Sequence, residues 1–73
     1  MRITIELDSL SVEARVALAR SVRDTATLAM LALDANWQVR FAIANNGATR
    51  ESTLEKLRND SKIAVVMAAN RGQ

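Results

Sequence analysis

Asp34-Ala35-Asn36-Trp37-Gln38-Val39-Arg40-Phe41-Ala42-Ile43-Ala44-Asn45-Asn46 holds both aromatic residues of the chain and is echoed on either side of itself. Upstream, Ala14-Arg15-Val16-Ala17-Leu18-Ala19-Arg20 matches the segment from Val39 to Asn45, 25 residues earlier. Downstream, Asp60-Ser61-Lys62-Ile63-Ala64-Val65-Val66-Met67-Ala68-Ala69-Asn70 repeats it with one residue fewer between the Asp and the Asn. The intervening residues follow suit: Thr27-Leu28, Leu31 and Asp34 recur 26 residues on as Thr53-Leu54, Leu57 and Asp60, and Asp8 extends the series upstream. Self-similarity at so short a period is the mark of units that cannot bury an apolar face alone and stack on their neighbours. It points to a scaffold and leaves open what the scaffold holds.

Working outward from that stretch, Asn36 caps a helix over about Trp37 to Ala44. Asn45-Asn46-Gly47 is expected to end it, since Asn and Gly tolerate the left-handed conformation of a helix stop. Before it, Ser11 caps a helix from about Val12 to Ser21, with Glu13 in the first turn and Arg20 in the last. Val12, Val16 and Ala19 form its apolar stripe, with Ala14, Leu18 and Val22 beside it. Arg23-Asp24-Thr25 breaks the chain, and a second helix is expected from about Thr25 to Leu33. Its run from Leu28 to Leu33 is apolar nearly all round, which predicts a central or covered helix. After the central stretch, Thr49 is expected to cap a fourth helix with Glu51 near its start. Only Leu54 and Leu57 are large and apolar there, so it should be an outer helix with a wet face. Asp60 or Ser61 opens a fifth, about Lys62 to Ala69, stopped by Asn70-Arg71-Gly72. At the other end, residues 2–7 alternate and read as a short strand or extended arm. Ile3, Ile5 and Leu7 share one face and Arg2, Thr4 and Glu6 the other. Such an edge either packs on the first helix or pairs with a second copy.

Composition narrows the class. A chain of 73 residues that is 49% apolar, Ala-rich and without Pro, Cys or His reads as a single domain over residues 1–73 built from close-packed helices. A chain of this size buries only about 60% of its unfolded surface. Disulfides and thiolate or imidazole metal sites are ruled out by residue type, so regular packing and self-association are the remaining routes to stability. No cofactor is expected. The formal net charge is +2 and the bases are interspersed with acids, a weak footprint for nucleic acid. Met1 to Thr4 begins no secretory core and no apolar run approaches spanning length, so a cytoplasmic protein off the membrane is expected.

Leu31-Ala32-Leu33-Asp34, then Val39-Arg40-Phe41-Ala42-Ile43-Ala44-Asn45, then Thr49 before Leu54 and Leu57 resembles the leucine-rich repeat variant, a short α-helical relative in architecture of HEAT and armadillo repeats. The likeness covers about residues 24–70, and residues 8–22 loosely. Ala35, Ser61 and Gly47 stand where that family favours proline, and Val65 or Val66 falls where its arginine would. The resemblance implies an all-α fold of about five short helices stacked as a right-handed α-solenoid fragment. Its two and a half repeats would span about 8–33, 34–59 and a truncated 60–73, preceded by the arm at 2–7. It also implies an interaction role. The iron–sulfur cluster that accompanies this repeat in one setting requires cysteines, which this chain lacks.

Asp34 and Asp60 could be a carboxylate pair, or helix boundaries, the favoured role of Asp. No His, Cys or nucleophile–base set accompanies them, so an enzyme is not expected. Arg15 and Arg40 are either structural, each pairing with the Asp of a neighbouring unit, or a ridge aimed at acidic protein or phosphate that Arg20 and Arg23 would extend. Trp37 and Phe41 share a helix face; Phe41 is assigned to the core, and Trp37 is either core edge or binding anchor. The expected function is a non-catalytic protein-binding module, an adaptor or inhibitor, that meets its partner through Trp37, Gln38, Arg40 and Arg15. The fifth helix is too apolar for the exposed end of a stack: either it tucks into the core against the second and third helices, or its outer side meets another chain. On the second reading Ile63, Val66 and Met67, with Ile3 and Ile5, are assigned to self-association as a homodimer. The alternative is a dimeric ribbon–helix–helix DNA-binding protein that sets Arg2 and Thr4 in the major groove. Glu6 would face the DNA unfavourably, residues 21–25 lack a Gly turn, and the repeat runs on past the second helix.

Overall fold

The computed structural model describes residues 9–71, in which five helices follow one another: α1 (Val12–Ser21), α2 (Thr25–Leu31), α3 (Trp37–Ala44), α4 (Glu51–Leu57) and α5 (Ile63–Arg71). No strand is present among the described residues, so the fold class is all-α. The strand or arm expected at residues 2–7 lies outside them. Three helix starts are set by short polar side chains. Ser11 Oγ accepts from Ala14 N at 3.1 Å, Asp24 Oδ2 from Thr27 N at 2.9 Å and Asn36 Oδ1 from Gln38 N at 2.8 Å. Each satisfies a donor that has no partner within its own helix.

Thr49 departs from its expected role. The residue before α4 is Arg50, which makes no side-chain capping bond. Thr49 is buried and donates its hydroxyl to the Ile43 carbonyl at 2.7 Å, because the chain turns under α3 before α4 begins. Arg50 and Asp24 have similar extended backbones (φ −70°, ψ 155° and φ −71°, ψ 120°) and each stands three residues before a buried Thr. Arg50→Asp is therefore expected to supply the missing cap, stabilising the fold by about 1 kcal/mol and raising the melting temperature by roughly 4–8 °C. Circular dichroism melts of the two proteins test this, and an unchanged or lower midpoint counts against it.

Three other boundaries differ from expectation, the first being α5, which runs on through Asn70 and Arg71 rather than stopping at Ala69. α2 stops at Leu31 because the chain tightens into a turn, with Leu33 N donating to Met30 O and Asp34 N to Leu31 O, both at 3.1 Å. Leu28, Leu31 and Ala32 are buried, but Leu33 is 78% exposed and Ala29 is exposed, so α2 is not the central helix. That place belongs to α3, which packs on each of the other four. The end of α3 also differs. Asn45 is right-handed (φ −91°, ψ −5°), and no described residue has a positive φ. The helix closes through Asn46 N to Ile43 O at 3.1 Å. The Asn46 side chain is then free to reach α1, where its Nδ2 donates to Ala19 O and Val22 O at 2.8 Å each.

These bonds fix the arrangement. α1 packs on α3 and α3 on α5, with their N-terminal ends along one edge and their C-terminal ends along the other. α2 lies against α1 and α3, and α4 against α3 and α5. Leu28, Leu31, Val39, Ile43 and Val65 are the largest fully buried side chains. Burying each stabilises the fold by roughly 1.5–3 kcal/mol. Ala19, Ala42, Ala44, Ala68 and Ala69 are buried too, and their small side chains allow helices this short to approach closely. α4 buries Leu54 and Leu57 and exposes Glu55 and Lys56, the wet-faced outer helix that its composition predicts.

Candidate functional site

Arg15 and Arg40 each grip the aspartate that precedes the next helix of the α1–α3–α5 row. Arg15 Nε and Nη2 donate to the two oxygens of Asp34 at 2.6 and 3.3 Å, and Nη1 donates to Leu10 O at 2.7 Å. Arg40 repeats the pattern on Asp60 at 2.7 and 3.1 Å, with Nη1 shared between Asp34 O at 2.7 Å and Ala35 O at 3.2 Å. The carboxylates also accept backbone donors, Asp34 from Asn36 N and Asp60 from Lys62 N. The planar guanidinium matches a carboxylate in this two-pronged way, which a lysine could not do. Burial pushes the Asp60 carboxyl up, but the Arg40 bond, the Lys62 N–H and the Arg40 charge together hold it below the ordinary aspartate range. The two aspartates thus serve different arginines. The guanidinium nitrogens of Arg15 and Arg40 are engaged inside the protein, and their side chains are only 17% and 15% exposed.

Trp37 and Gln38 lie elsewhere, on an open groove of about 800 Å³ between α1 and α3. Val12, Val16 and Ala17 line it from α1, and Trp37, Phe41 and Ala42 from α3; Glu13, Arg20, Gln38 and Asn45 form its polar rim. Trp37 meets Phe41 edge-on, with ring centroids 6.0 Å apart and planes at 76°, a favourable aromatic arrangement. Lys62 Nζ lies 4.7 Å from the Trp37 ring centroid, a cation–π contact. The indole is half-buried and contacted from two directions. Phe41 is half-buried, packing against the core while also walling the groove.

Ile63 and Met67 project from α5 as a one-turn pair, 68% and 61% exposed, and Val66 beside them is half-buried. The backbone makes Val66, rather than Val65, the positional counterpart of Arg40. Val39 N and Arg40 N both donate to Asn36 O, and Val65 N and Val66 N both donate to Lys62 O. Ile3, Ile5, Arg2 and Thr4 lie outside the described residues. Sequence reasoning reads Asn46 as part of a left-handed helix stop and misses its structural bonds to α1; the one local hint is an Asn–Asn pair where a single stop residue suffices. No helix among the described residues is long and apolar enough to cross a membrane. Compared with protein-family models, with curated proteins and with solved structures, the chain matches none.

Proposed function

We propose that the protein is a non-catalytic protein-binding module that receives its partner in the groove between α1 and α3, with Trp37 and Gln38 as contacts. The observation that carries this reading is the groove itself: an open apolar floor with a polar rim and a tryptophan already positioned. Sites of that composition are where binding energy concentrates. Arg15 and Arg40 act here as scaffold, holding successive helices in line so that the groove keeps its shape.

We further read the row of helices as a short stack of the leucine-rich repeat variant kind. Its support is the recurrence of the same bonds. Arg15 with Leu10 O and Asp34 has its counterpart in Arg40 with Ala35 O and Asp60. The turn after α2 has its counterpart after α4, where Asn59 N donates to Lys56 O and Asp60 N to Leu57 O, both at 3.1 Å.

The test is a tagged pull-down from the source cell with wild type, Trp37→Ala and Ala17→Phe side by side. Ala17 is exposed within the groove, so a phenylalanine there blocks it without touching the core. Wild type is expected to retain a protein that both variants lose while keeping their helical circular dichroism. Identical captures from all three would sink the reading. The Ile63–Met67 stripe is proposed as a separate self-association surface, for which Ile63→Lys should convert a dimer to a monomer in light scattering. A wild-type monomer mass at micromolar concentration would refute that part alone.

A further inference from the structure

We infer that the groove takes an amphipathic helical segment whose acidic end lies over the edge formed by the C-terminal ends of α1, α3 and α5. This rests on the groove being a protein-binding site, and it adds the chemistry of the partner. The apolar floor runs out against Arg20 and Asn45. Arg71 is fixed at that same end, its Nη2 donating to Asn45 Oδ1 at 2.8 Å. Arg23 follows the C-cap residue Val22 of α1, and Arg50 immediately precedes α4. Both belong to this edge, because Asn46 ties the α3–α4 connection to Ala19 O and Val22 O.

All four arginines are exposed. Of the acids close to them in the chain, Glu51 is paired with Arg58, and Asp24, which accepts from Thr27 N and Thr27 Oγ1, leaves one negative charge beside Arg23, so the edge keeps a surplus of arginine. Helix dipoles account for Arg20 and Arg71, which sit in last turns. They do not account for Arg23 and Arg50, which stand in connections between helices. The opposite end of the rim carries Glu13, with the Lys62 ammonium over the Trp37 ring beside it, so the charges there offset one another while the C-terminal edge is dominated by arginine. Glu13 and Arg20 are two helical turns apart, roughly 10 Å along the groove.

The charge order therefore selects one chemistry. A helix whose apolar residues follow i, i+3, i+4, i+7 spacing fills the floor, and its acidic residues fall beside Arg20, Arg23 and Arg71. A nucleic-acid backbone would use the arginines alone and leave the apolar floor empty.

A displayed library of random peptides, selected on the full chain, tests this without a known ligand. Selected peptides are expected to show helical apolar spacing with Asp and Glu gathered toward one end. Synthetic copies should shift the emission of Trp37, the sole tryptophan of the sequence. The double variant Arg20→Glu/Arg23→Glu, changed at exposed positions only, should weaken them about tenfold or more at low salt, and Ala17→Phe should abolish binding. Peptides that Ala17→Phe blocks but that carry no acidic bias, or ignore the charge reversal, overturn the acidic assignment and leave the groove reading standing. Failure to select any binder, or binders insensitive to Ala17→Phe, overturns both. A duplex oligonucleotide that shifts Trp37 emission with steep salt dependence, or a dimer in which Trp37 is covered, names a different occupant and also overturns the inference.

Discussion

Ile43→Ala is expected to leave the protein largely unfolded at 37 °C. Ile43 is completely buried on α3, the helix that contacts all four others, so there is no solvent-facing side toward which the site can collapse. Truncating such a side chain removes its transfer free energy and leaves a cavity, together about 2–5 kcal/mol. A domain of this size has only about 4–11 kcal/mol in total, and each kcal/mol lowers the melting temperature by roughly 4–8 °C. The control is Leu33→Ala, a similar truncation at a site 78% exposed and outside both proposed surfaces, which should alter stability by no more than about 0.5 kcal/mol. Thermal melts of the two variants decide the matter. If Ile43→Ala melts within a few degrees of wild type, α3 is not the central packing element.

Asp60→Ala is expected to have the next largest effect, and to be worse than removing both members of its ion pair. It strands the Arg40 guanidinium, which donates two bonds to that carboxylate in a site where the side chain is 15% exposed. Breaking a fully buried pair costs about 3–5 kcal/mol; with water able to reach part of this one, about 2–3 kcal/mol is the reasonable expectation. Arg40→Met combined with Asp60→Ala should recover part of the loss, giving a coupling energy of about 1–3 kcal/mol in a double-mutant cycle. A coupling near zero would mean that the pair is decorative.

The same carboxylate sets an acid dependence. Its folded pKa lies below the unfolded value, which is about 3.9. The fold thus favours the ionised form. That stabilisation is fully present above about pH 4 and is lost as pH falls through the folded pKa. Denaturant midpoints of the wild type should therefore drop below pH 4, and Asp60→Asn should be less stable at pH 7 with a flatter acid limb. An equally steep limb in the variant would remove Asp60 from the account.

What the sequence determined by itself was whatever is decided within a few residues. Ser11 and Asn36 start their helices by bonding donors two or three positions away. Leu54 and Leu57 mark the one buried side of α4 through their spacing alone. Caps and apolar spacing were enough to expect five helices, and the recurrence at 25 and 26 residues raised Asp partners for Arg15 and Arg40, because the same residue types return at fixed offsets. Other features depended on contacts that no local pattern encodes. Thr49 looked like a cap and became a buried donor to Ile43, six residues back, once the chain had turned under α3. Asn46 looked like a left-handed stop, yet its side chain lies against α1, 27 residues from Ala19. Leu33 belonged to the most apolar run and ended in solvent, because the turn that delivers Asp34 to Arg15 ends the helix first. The groove belongs to neither α1 nor α3 alone. Tertiary packing decided it, since the space between two helices is set by the side chains and bonds that hold them apart, and here those are Arg15 on Asp34 at one edge and Asn46 on Ala19 and Val22 at the other.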